Sequence, residues 1–320
     1  MKKDFVSFQS YTSEEIEKII SISQWIKGKN HRDVQPLRNK TAALIFEKPS
    51  LRTHVSFDVG IAQLGGRSVF LSQQNIGIST RESVVDIAGV LSRYNDLIIA
   101  RTMKHSTVED IAAYASVPVI NALTDLLHPC HIMGDAFTLV ERGLLSPETK
   151  IAFIGDGNNV VNSWLELAQK LPLHFVLACP EGYEPDAEIL AGALASGISR
   201  IEIVHDPFEA AEDAAVLYTD VWVSMGQEDE RRARQAVFQK YQINTTLLDV
   251  AHPEAVVMHC LPAHRGEEIT ADVLEGKRSI VLEQAENRLH AQKAIIIQLM
   301  GAAERESKAY TELMDELTIH

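Results

Sequence analysis

The sequence has little cysteine, a deficit of positive charge and no long apolar run, and each of these absences excludes a class of protein. Its three cysteines among 320 residues are too few for a disulfide framework and are typical of a reducing compartment. Lysine and arginine number 30 against 44 acidic residues, so the net charge of −14 argues against a nucleic-acid partner. No apolar run approaches the roughly 20 residues that a membrane helix needs, so no membrane partner is expected. An ordinary globular protein remains.

The amino-terminal segment lacks the pattern of a secretion signal. MKKDFVSFQSYTSEE contains two lysines, but neither an apolar core nor a small-residue cleavage site follows them. We therefore expect a cytoplasmic protein. A chain of 320 residues suits two domains of roughly 150 residues each, and two domains imply a cleft.

Short apolar segments alternate with helical periods along the chain. Residues 12–27 predict a helix in which Thr12 caps the first turn together with Glu15. Runs that are apolar without alternation are typical of parallel strands covered on both faces. The predicted strands are TAALIF, RSVFLS, DLIIAR and VPVINAL in the first half, and KIAFIG, HFVLACP, RIEIVHD, AVLYTDVW, AVVMHCLP and SIVLEQ in the second.

This order of elements predicts an α/β protein with two doubly wound parallel-sheet domains. We expect one domain over residues 1–135 and the other over 148–289, with a carboxy-terminal helix at 290–320 that returns to the first domain. The active site is expected in the cleft between the two domains. Open α/β sheets bind ligands beyond the carboxyl ends of their strands, and polar residues gather at these places in the sequence.

The segment SLRT, residues 50–53, follows the first predicted strand and opens a helix. The first N–H groups of a helix lack helical partners, and the helix dipole adds partial positive charge, so this turn suits an anion. Arg52 would add a fork that matches phosphate. The alternative is that Ser50 only caps the helix and Arg52 is solvated.

Two other segments have features in common with cofactor-binding motifs. In GDGNNVVNS the third glycine position of a dinucleotide fingerprint is Val160, so we favour a tight turn lined by Asn158 and Asn159 over a dehydrogenase site. HPCH and MHCLPAH offer histidines and cysteines that suggest zinc, but their spacing matches no closed structural site. Histidine serves equally as a neutral donor or acceptor, so we expect neither a metal nor another cofactor, and we interpret His259 as a core histidine at a strand end.

The motifs together resemble the aspartate/ornithine carbamoyltransferase family over almost the whole chain. Those that carry the resemblance, in the family's order and spacing, are SLRT, ART with His105 just beyond, HPC, GDGNN, TDVWVSMG, MHCLPAHRGEE and ENRLHAQK. SxRT with HPxQ is similar to the family at large, whereas DxxxSMG followed by HCLP resembles the members that take ornithine. The resemblance implies carbamoyl transfer from carbamoyl phosphate to L-ornithine, giving L-citrulline and phosphate.

The resemblance also implies roles for residues of the first half in binding carbamoyl phosphate. Ser50, the backbone N–H of Leu51, Arg52 and Thr53 would hold the phosphate. Thr53, Arg101 and His128 would polarise the carbonyl as charge builds on its oxygen. Arg288 would reach the carbonyl or the phosphate, and Arg81 takes the basic position of a loop that, in relatives, comes from a neighbouring subunit.

For ornithine, the resemblance assigns residues of the second half. Asn159 and the backbone of Ser224 and Met225 would hold the α-carboxylate, and Asp220 the α-amino group. Cys260 and the Leu261 carbonyl would lie beside the side-chain amine. That amine arrives as ammonium and must lose a proton before it attacks, so we assign the acceptor role to Cys260 coupled to Asp220. The alternative for Cys260 is a small buried hydrophobe.

Three positions depart from the family pattern near the donor. His54 stands where arginine is usual, His131 where glutamine is usual, and Gly77 falls near the loop glutamine. Neutral His131 would accept a hydrogen bond from the carbamoyl NH2, and Arg52 and Arg101 nearby would favour its neutral form. The alternative is that His131 only starts a helix.

Rival functions stay open at this point. Putrescine, aspartate or an acylated ornithine would serve another carbamoyltransferase, and a non-catalytic ligand-binding relative would keep only the fold. Putrescine lacks the carboxylate, and an acylated amine would leave Asp220 without a cationic partner. The family resemblance further implies a homotrimer, or a multiple of trimers, in which residues 73–83 complete the neighbour's site. The same site serves both directions of the reaction, so the sequence does not distinguish a biosynthetic from a catabolic role.

Overall fold

The chain forms two compact units in a computed structural model that describes residues 3–29, 35–77, 82–223 and 231–303. One unit comprises the described residues of Met1–Phe137 and Glu286–His320, and the other comprises those of Thr138–Ala285. The first unit is therefore assembled from both ends of the chain.

The first unit is built around a four-stranded parallel sheet. Its strands are β1 Thr41–Phe46, β2 Arg67–Ser72, β3 Leu97–Arg101 and β4 Val119–Leu123, in the spatial order β2-β1-β3-β4. Phe46 is paired with Arg101, so β1 and β3 end at the same level of the sheet. The order reverses between these two strands, which makes the gap beyond their ends a topological switch point.

The helices of this unit begin with α1, Ser13–Gly28. Thr12 accepts from the N–H of Glu15, and the Glu15 carboxylate accepts from the N–H of Thr12, so the predicted capping box forms. The helices that follow along the chain are α2 Leu51–Gln63, α3 Gln73–Ile76, α4 Val84–Tyr94, α5 His105–Tyr114 and α6 Pro129–Glu141.

A five-stranded parallel sheet forms the centre of the second unit. Its strands are β5 Lys150–Ile154, β6 His174–Ala178, β7 Arg200–Val204, β8 Val216–Thr219 and β9 Val256–His259, in the order β7-β6-β5-β8-β9. The order reverses between β5 and β8, so this unit has its own switch point beyond the ends of those two strands.

The remaining elements follow in chain order. They are α7 Asn159–Ala168, α8 Ala187–Ser196, α9 Pro207–Ala211, α10 Arg231–Phe238, a 3₁₀ turn Gln239–Tyr241, α11 Thr245–Val250, α12 Ala271–Leu274 and α13 Val281–Ala303. Helix α13 contains the boundary at which the chain re-enters the first unit. None of the helices within the described ranges has the length and apolarity that crossing a membrane requires.

The expectation of two parallel α/β sheets is confirmed, whereas one predicted strand is wrong. SIVLEQ, residues 279–284, forms only an isolated bridge between Ser279 and Val257, and α13 begins at Val281. A short apolar run has the same pattern in a buried strand and in the first turn of a buried helix. Tertiary packing favours the helix here.

Candidate active site

The SLRT segment forms the first turn of α2, directly after β1. Ser50 is the N-cap residue, and its hydroxyl accepts from the N–H of Thr53 at 3.4 Å. Ser50 therefore caps α2, and this role is compatible with anion binding because the turn keeps its positive dipole end. The side chain of Leu51 is 76% exposed, so only the backbone of this residue is suited to a ligand role.

Thr53 is the centre of a buried hydrogen-bond cluster. Its hydroxyl oxygen accepts from Ser50 Oγ at 2.9 Å and from Arg288 Nη2 at 2.6 Å. An oxygen that accepts twice still has its own proton to donate. Arg288 Nη2 also lies 3.2 Å from His128 Nε2. Because a guanidinium only donates, the imidazole accepts at Nε2 and carries its proton on Nδ1.

The two buried cations of this cluster repel each other. Arg101, the last residue of β3, is 5% exposed, and burial followed by the charges of Arg288 and Arg52 lowers its pKa to about 10. It remains charged at neutral pH. Burial, followed by the charges of Arg288, His131 and Arg101, also holds the pKa of His128 well below its usual range, so His128 is neutral. An anion would relieve this accumulation of positive charge.

His131 has a buried acidic neighbour that the sequence interpretation did not consider. Its Nε2 lies 3.4 Å from Asp135 Oδ2, one turn further along α6, and the two side chains are 4% and 1% exposed. The ring stacks on His128 with centroids 5.0 Å apart. The arrangement places His131 in the cluster, and Asp135 favours its protonated form while burial opposes it.

The other departures near the donor site have simple local roles. His54 stacks on Phe70, with ring centroids 4.0 Å apart and an interplanar angle of 21°. Gly77 has φ of +63° and ends α3 in the left-handed region, which glycine adopts without strain. Arg81 lies outside the described residues.

In the second unit, another segment of the chain fills the space beside the glycine turn after β5. A Cβ at Gly157 would lie 2.4 Å from the backbone nitrogen of Pro185, so the segment before α8 occupies the space beside this turn. Gly157 also donates its N–H to the carbonyl of Tyr183 at 2.9 Å. The tight-turn interpretation is therefore confirmed, because these glycines accommodate the chain itself.

Asn158 connects this turn to the end of β8. Its side-chain oxygen accepts from the N–H groups of Val160 and Val161 and so caps α7. Its side-chain NH2 donates to Asp220 Oδ2 at 2.8 Å, while Asp220 Oδ1 accepts from the N–H of Val221. Asp220 is thus held at the switch point between β5 and β8. The neighbouring Asn159, which we had assigned to the substrate carboxylate, is the first residue of α7.

The HCLP segment at the end of β9 is fixed by a buried acid. His259 is 1% exposed, as expected for a core histidine, and its Nδ1 accepts from the N–H of Leu261 at 2.8 Å. Its Nε2 lies 3.0 Å from Glu268 Oε1, so the ring donates there. This arrangement holds Leu261 at φ of +51°, a left-handed conformation that is unusual for leucine.

Cys260, which is 9% exposed, lies close to Asp220. The Cys260 sulfur, a carboxylate oxygen of Asp220 and a ring nitrogen of His259 all lie within 4.8 Å of one another. This distance permits the coupling of Cys260 to Asp220 that the sequence suggested. Ser224 and Met225 lie outside the described residues.

Three of these residues were missed by sequence reasoning as parts of the site. Asp135 follows His131 by four positions on one helix face, a spacing that signals contact. Asn158 was assigned to a turn, and its contact with Asp220 had no local signal. Glu268 ends the motif MHCLPAHRGEE, but nothing in the sequence distinguishes a buried glutamate from a solvated one.

Comparisons with known proteins identify the family of this chain. The family model described as "Aspartate/ornithine carbamoyltransferase, carbamoyl-P binding domain" matches residues 3–141, and the "Asp/Orn binding domain" model of the same family matches residues 147–299. An ornithine carbamoyltransferase of Chlorobaculum tepidum is 52% identical over 305 residues, which are 94% of this chain and 90% of the relative.

Solved structures give the same result. The ornithine carbamoyltransferase of Pyrococcus furiosus superposes with a TM-score of 0.88 at 45% identity, covering 94% of this chain and 97% of that one. The anabolic enzyme of Campylobacter jejuni gives a TM-score of 0.89 at 37% identity, covering 93% and 98%. The motif resemblance is thereby confirmed, and the chain belongs to the aspartate/ornithine carbamoyltransferase family.

Proposed function

We propose that the protein is an enzyme that transfers the carbamoyl group of carbamoyl phosphate to the side-chain amine of L-ornithine, giving L-citrulline and phosphate. The observation that carries the proposal is the buried cluster of Arg288, Thr53, His128 and Arg101 at the switch point of the first sheet. Two buried guanidinium groups and a helix N-terminus leave positive charge that an anion would neutralise.

The first unit binds and activates the donor in this proposal. The phosphate lies on the first turn of α2, where Ser50, the N–H of Leu51, Arg52 and Thr53 contact it, and Arg81 adds a further positive charge. Arg101 and Thr53 donate to the carbonyl oxygen, on which negative charge develops during attack. His128 is neutral, and Arg288 turns from it towards the substrate. The phosphate then leaves towards the groups of α2 that already bind it.

The second unit binds the acceptor. Asp220, oriented by Asn158, pairs with the α-ammonium of ornithine, while Asn159 and the backbone of Ser224 and Met225 hold the carboxylate. The side-chain ammonium must lose its proton before attack, and Cys260 coupled to Asp220 takes it. The Leu261 carbonyl, oriented by the left-handed backbone of that residue, accepts a hydrogen bond from the amine.

The charge of this site discriminates between acceptors. Asp220 favours an acceptor with a second, cationic amino group. Putrescine has such a group but no carboxylate, and an acylated ornithine lacks the cationic α-amine. Aspartate would add an anionic side chain beside Asp220. Ornithine therefore ranks first among the amines considered.

Assembly as a homotrimer is also part of the proposal. Leu51, Val55 and Val59 form a stripe at i, i+4 and i+8 on α2 and are 76%, 48% and 38% exposed. Phe70, on the edge strand β2, is 39% exposed and stacks on His54 of α2. An exposed apolar face of this kind supports contact with a second copy. A fully active monomer of 35.5 kDa in light scattering would contradict a shared site.

A cytoplasmic location and a biosynthetic role complete the proposal. All three cysteines are free and buried, which fits a reducing compartment. The relatives in Campylobacter jejuni and Pyrococcus furiosus are described as anabolic, which supports the forward direction for this chain.

The decisive experiment is a citrulline assay with purified protein. L-ornithine, putrescine, aspartate and N-acetylornithine are compared at equal concentration with carbamoyl phosphate, and we expect turnover with ornithine. Turnover with another amine would reassign the acceptor. Binding of carbamoyl phosphate in a calorimeter without turnover of any amine would favour a non-catalytic relative.

A further inference from the structure

Glu268 is a buried carboxylate with one oxygen that the protein leaves unsatisfied. The residue is 0% exposed, and its Oε2 has no hydrogen-bond partner within the described part of the chain. Such an atom is rare in a folded protein, because removing a carboxylate oxygen from water without a partner is unfavourable. A ligand at Oε2 would satisfy it.

The other oxygen of this carboxylate is held by the protein. Oε1 accepts from His259 Nε2 at 3.0 Å and from the backbone N–H of His264 at 2.6 Å. His259 accepts at Nδ1, so its proton is on Nε2, and Glu268 accepts rather than donates in both bonds. The orientation of the Glu268 carboxylate is therefore fixed by its surroundings.

Two further side chains lie near the Glu268 carboxylate. His264 Nδ1 lies 3.8 Å from Glu268 Oε2, and one ligand atom each of His264, Glu267 and Glu268 lie within 4.8 Å of one another. A separation of 3.8 Å is too long for a hydrogen bond. Two ligand atoms bound to one tetrahedral zinc ion are roughly 3.3 Å apart, so these side chains would move closer together around an ion.

The ligand types of this group suit a cation. Glu267 and Glu268 supply carboxylate oxygens, and Arg231 donates to Glu267 Oε1 at 2.6 Å. Arg231 is 51% exposed, so its pairing with Glu267 is weakened by solvent. The imidazole of His264 provides a nitrogen ligand.

We propose that His264, Glu267 and Glu268 form an accessory site for a divalent transition-metal ion of the zinc class. One nitrogen and two carboxylate ligands match the preferences of Zn²⁺, and water completes the coordination. The His264 side chain is 41% exposed, which gives the ion a path from solvent. His259 supplies the outer hydrogen bond that orients Glu268.

A competing group contains Asp220, His259 and Cys260, whose ligand atoms also lie within 4.8 Å. Both ring nitrogens of His259 are already engaged, one by the N–H of Leu261 and the other by Glu268. A metal ion on this group would have to displace one of those buried hydrogen bonds. His264 has no such restriction on Nδ1, which favours the His264 group.

Calorimetry with ZnCl2 on the full chain, stripped of metal by chelator and dialysis, tests the proposal. We expect one equivalent to bind to the parent protein, with affinity reduced roughly 10- to 100-fold or more in His264→Ala and in Glu267→Gln. His252→Ala removes another exposed histidine of the same unit and is expected to bind zinc like the parent. Circular dichroism of each variant without zinc verifies that it folds.

Cys260→Ser and a cobalt spectrum distinguish the two metal groups. We expect Cys260→Ser to keep its equivalent of zinc, and Co²⁺ to bind without the near-ultraviolet charge-transfer band of a thiolate ligand. Failure of the parent to bind zinc, undiminished binding by His264→Ala, or loss of binding in Cys260→Ser would each overturn the proposal. Undiminished binding by Glu267→Gln would overturn the three-ligand assignment.

Discussion

Arg288 Nη2 donates a hydrogen bond of 2.6 Å to Thr53 Oγ1, although 235 positions separate the two residues. The bond joins α13 to the first turn of α2 and lies wholly within the unit that contains both ends of the chain. It places a second guanidinium beside Arg101, whose pKa falls to about 10 as a result of burial and its cationic neighbours.

The phosphate role of Arg52 predicts a loss of activity in Arg52→Ala. Phosphate gains charge as it leaves, so the variant should have a raised KM for carbamoyl phosphate and a lowered kcat. A hydrogen bond to a charged group contributes roughly 1.5–3 kcal/mol, which corresponds to about a 10- to 150-fold loss in kcat/KM. Steady-state kinetics measures this. Arg67→Ala, at the exposed start of β2, is the matched control, and equal kinetics for the two variants would remove Arg52 from the site.

The close packing of α6 against Arg288 predicts that Gly134→Ala is destabilising. An added Cβ would lie 2.9 Å from Arg288 Cα, a backbone atom that cannot rotate away. We expect a loss of ~1–3 kcal/mol in the free energy of unfolding by urea, together with reduced turnover because Arg288 shifts.

Gly89→Ala is the control for that substitution. Gly89 is in α4 with no atom within 4 Å of its added Cβ, so alanine should stabilise the protein by roughly 0.5–1 kcal/mol. A Gly134→Ala variant as stable as the parent would mean that α6 and α13 separate easily.

The charge of Asp220 predicts a defect confined to the acceptor. Asp220→Asn keeps the shape of the side chain but loses the negative partner of the α-ammonium, so the KM for ornithine should rise and kcat should fall. Calorimetric affinity for carbamoyl phosphate should be unchanged. Asp206→Asn tests a second aspartate of this unit, since Asp206 caps α9 and asparagine caps equally well. Equal ornithine kinetics in both variants would contradict the assignment.

His131 predicts a pH-dependent affinity for carbamoyl phosphate. The neutral imidazole has an acceptor for the carbamoyl NH2 and the imidazolium has none, so binding should weaken as the pH falls. His131→Gln should abolish this acid-side loss. In Asp135→Asn the partner at 3.4 Å no longer favours the imidazolium, so the loss should move to lower pH.

Calorimetry of both variants from about pH 5.5 to 8 brackets the ordinary range of histidine. Superimposable curves for the parent protein and His131→Gln would leave His131 as part of the scaffold alone.

His290 predicts a dependence of stability on pH. Burial, followed by the charges of Lys293 and Lys27, lowers its pKa to about 4, although Glu286 lies 3.7 Å away. The unfolded chain therefore binds a proton that the folded chain does not, so stability is complete above about pH 6.5 and is lost as the pH falls towards 4. The slope for one histidine is at most about 1.4 kcal/mol per pH unit.

Urea unfolding at pH 7, 6 and 5 measures this dependence. His290→Gln should flatten the curve, whereas His252→Gln, at an exposed position, should follow the parent protein. A curve for His290→Gln that runs parallel to that of the parent would assign the acid sensitivity elsewhere.

Local sequence determined the elements and the places where their polar residues emerge. Apolar runs such as 41–46 and 150–154 form strands because burial on both faces needs no alternation, and Thr12 with Glu15 starts a helix through contacts three residues apart. The family was likewise evident in the sequence, since its motifs keep a fixed order along the chain. The failure of residues 279–284 as a strand marks the limit, because a short apolar run fits either structure.

Only the tertiary structure decided which of those polar residues meet. Arg288 reaches Thr53, Asn158 orients Asp220 across 62 positions, and Glu268 is buried with one oxygen unsatisfied. None of these contacts follows from local spacing, because they depend on the order of strands in each sheet and on the rotamers that packing selects. The chemistry of a residue is given by its type, whereas its protonation and its partners are fixed by the charges and the burial that the fold brings to it.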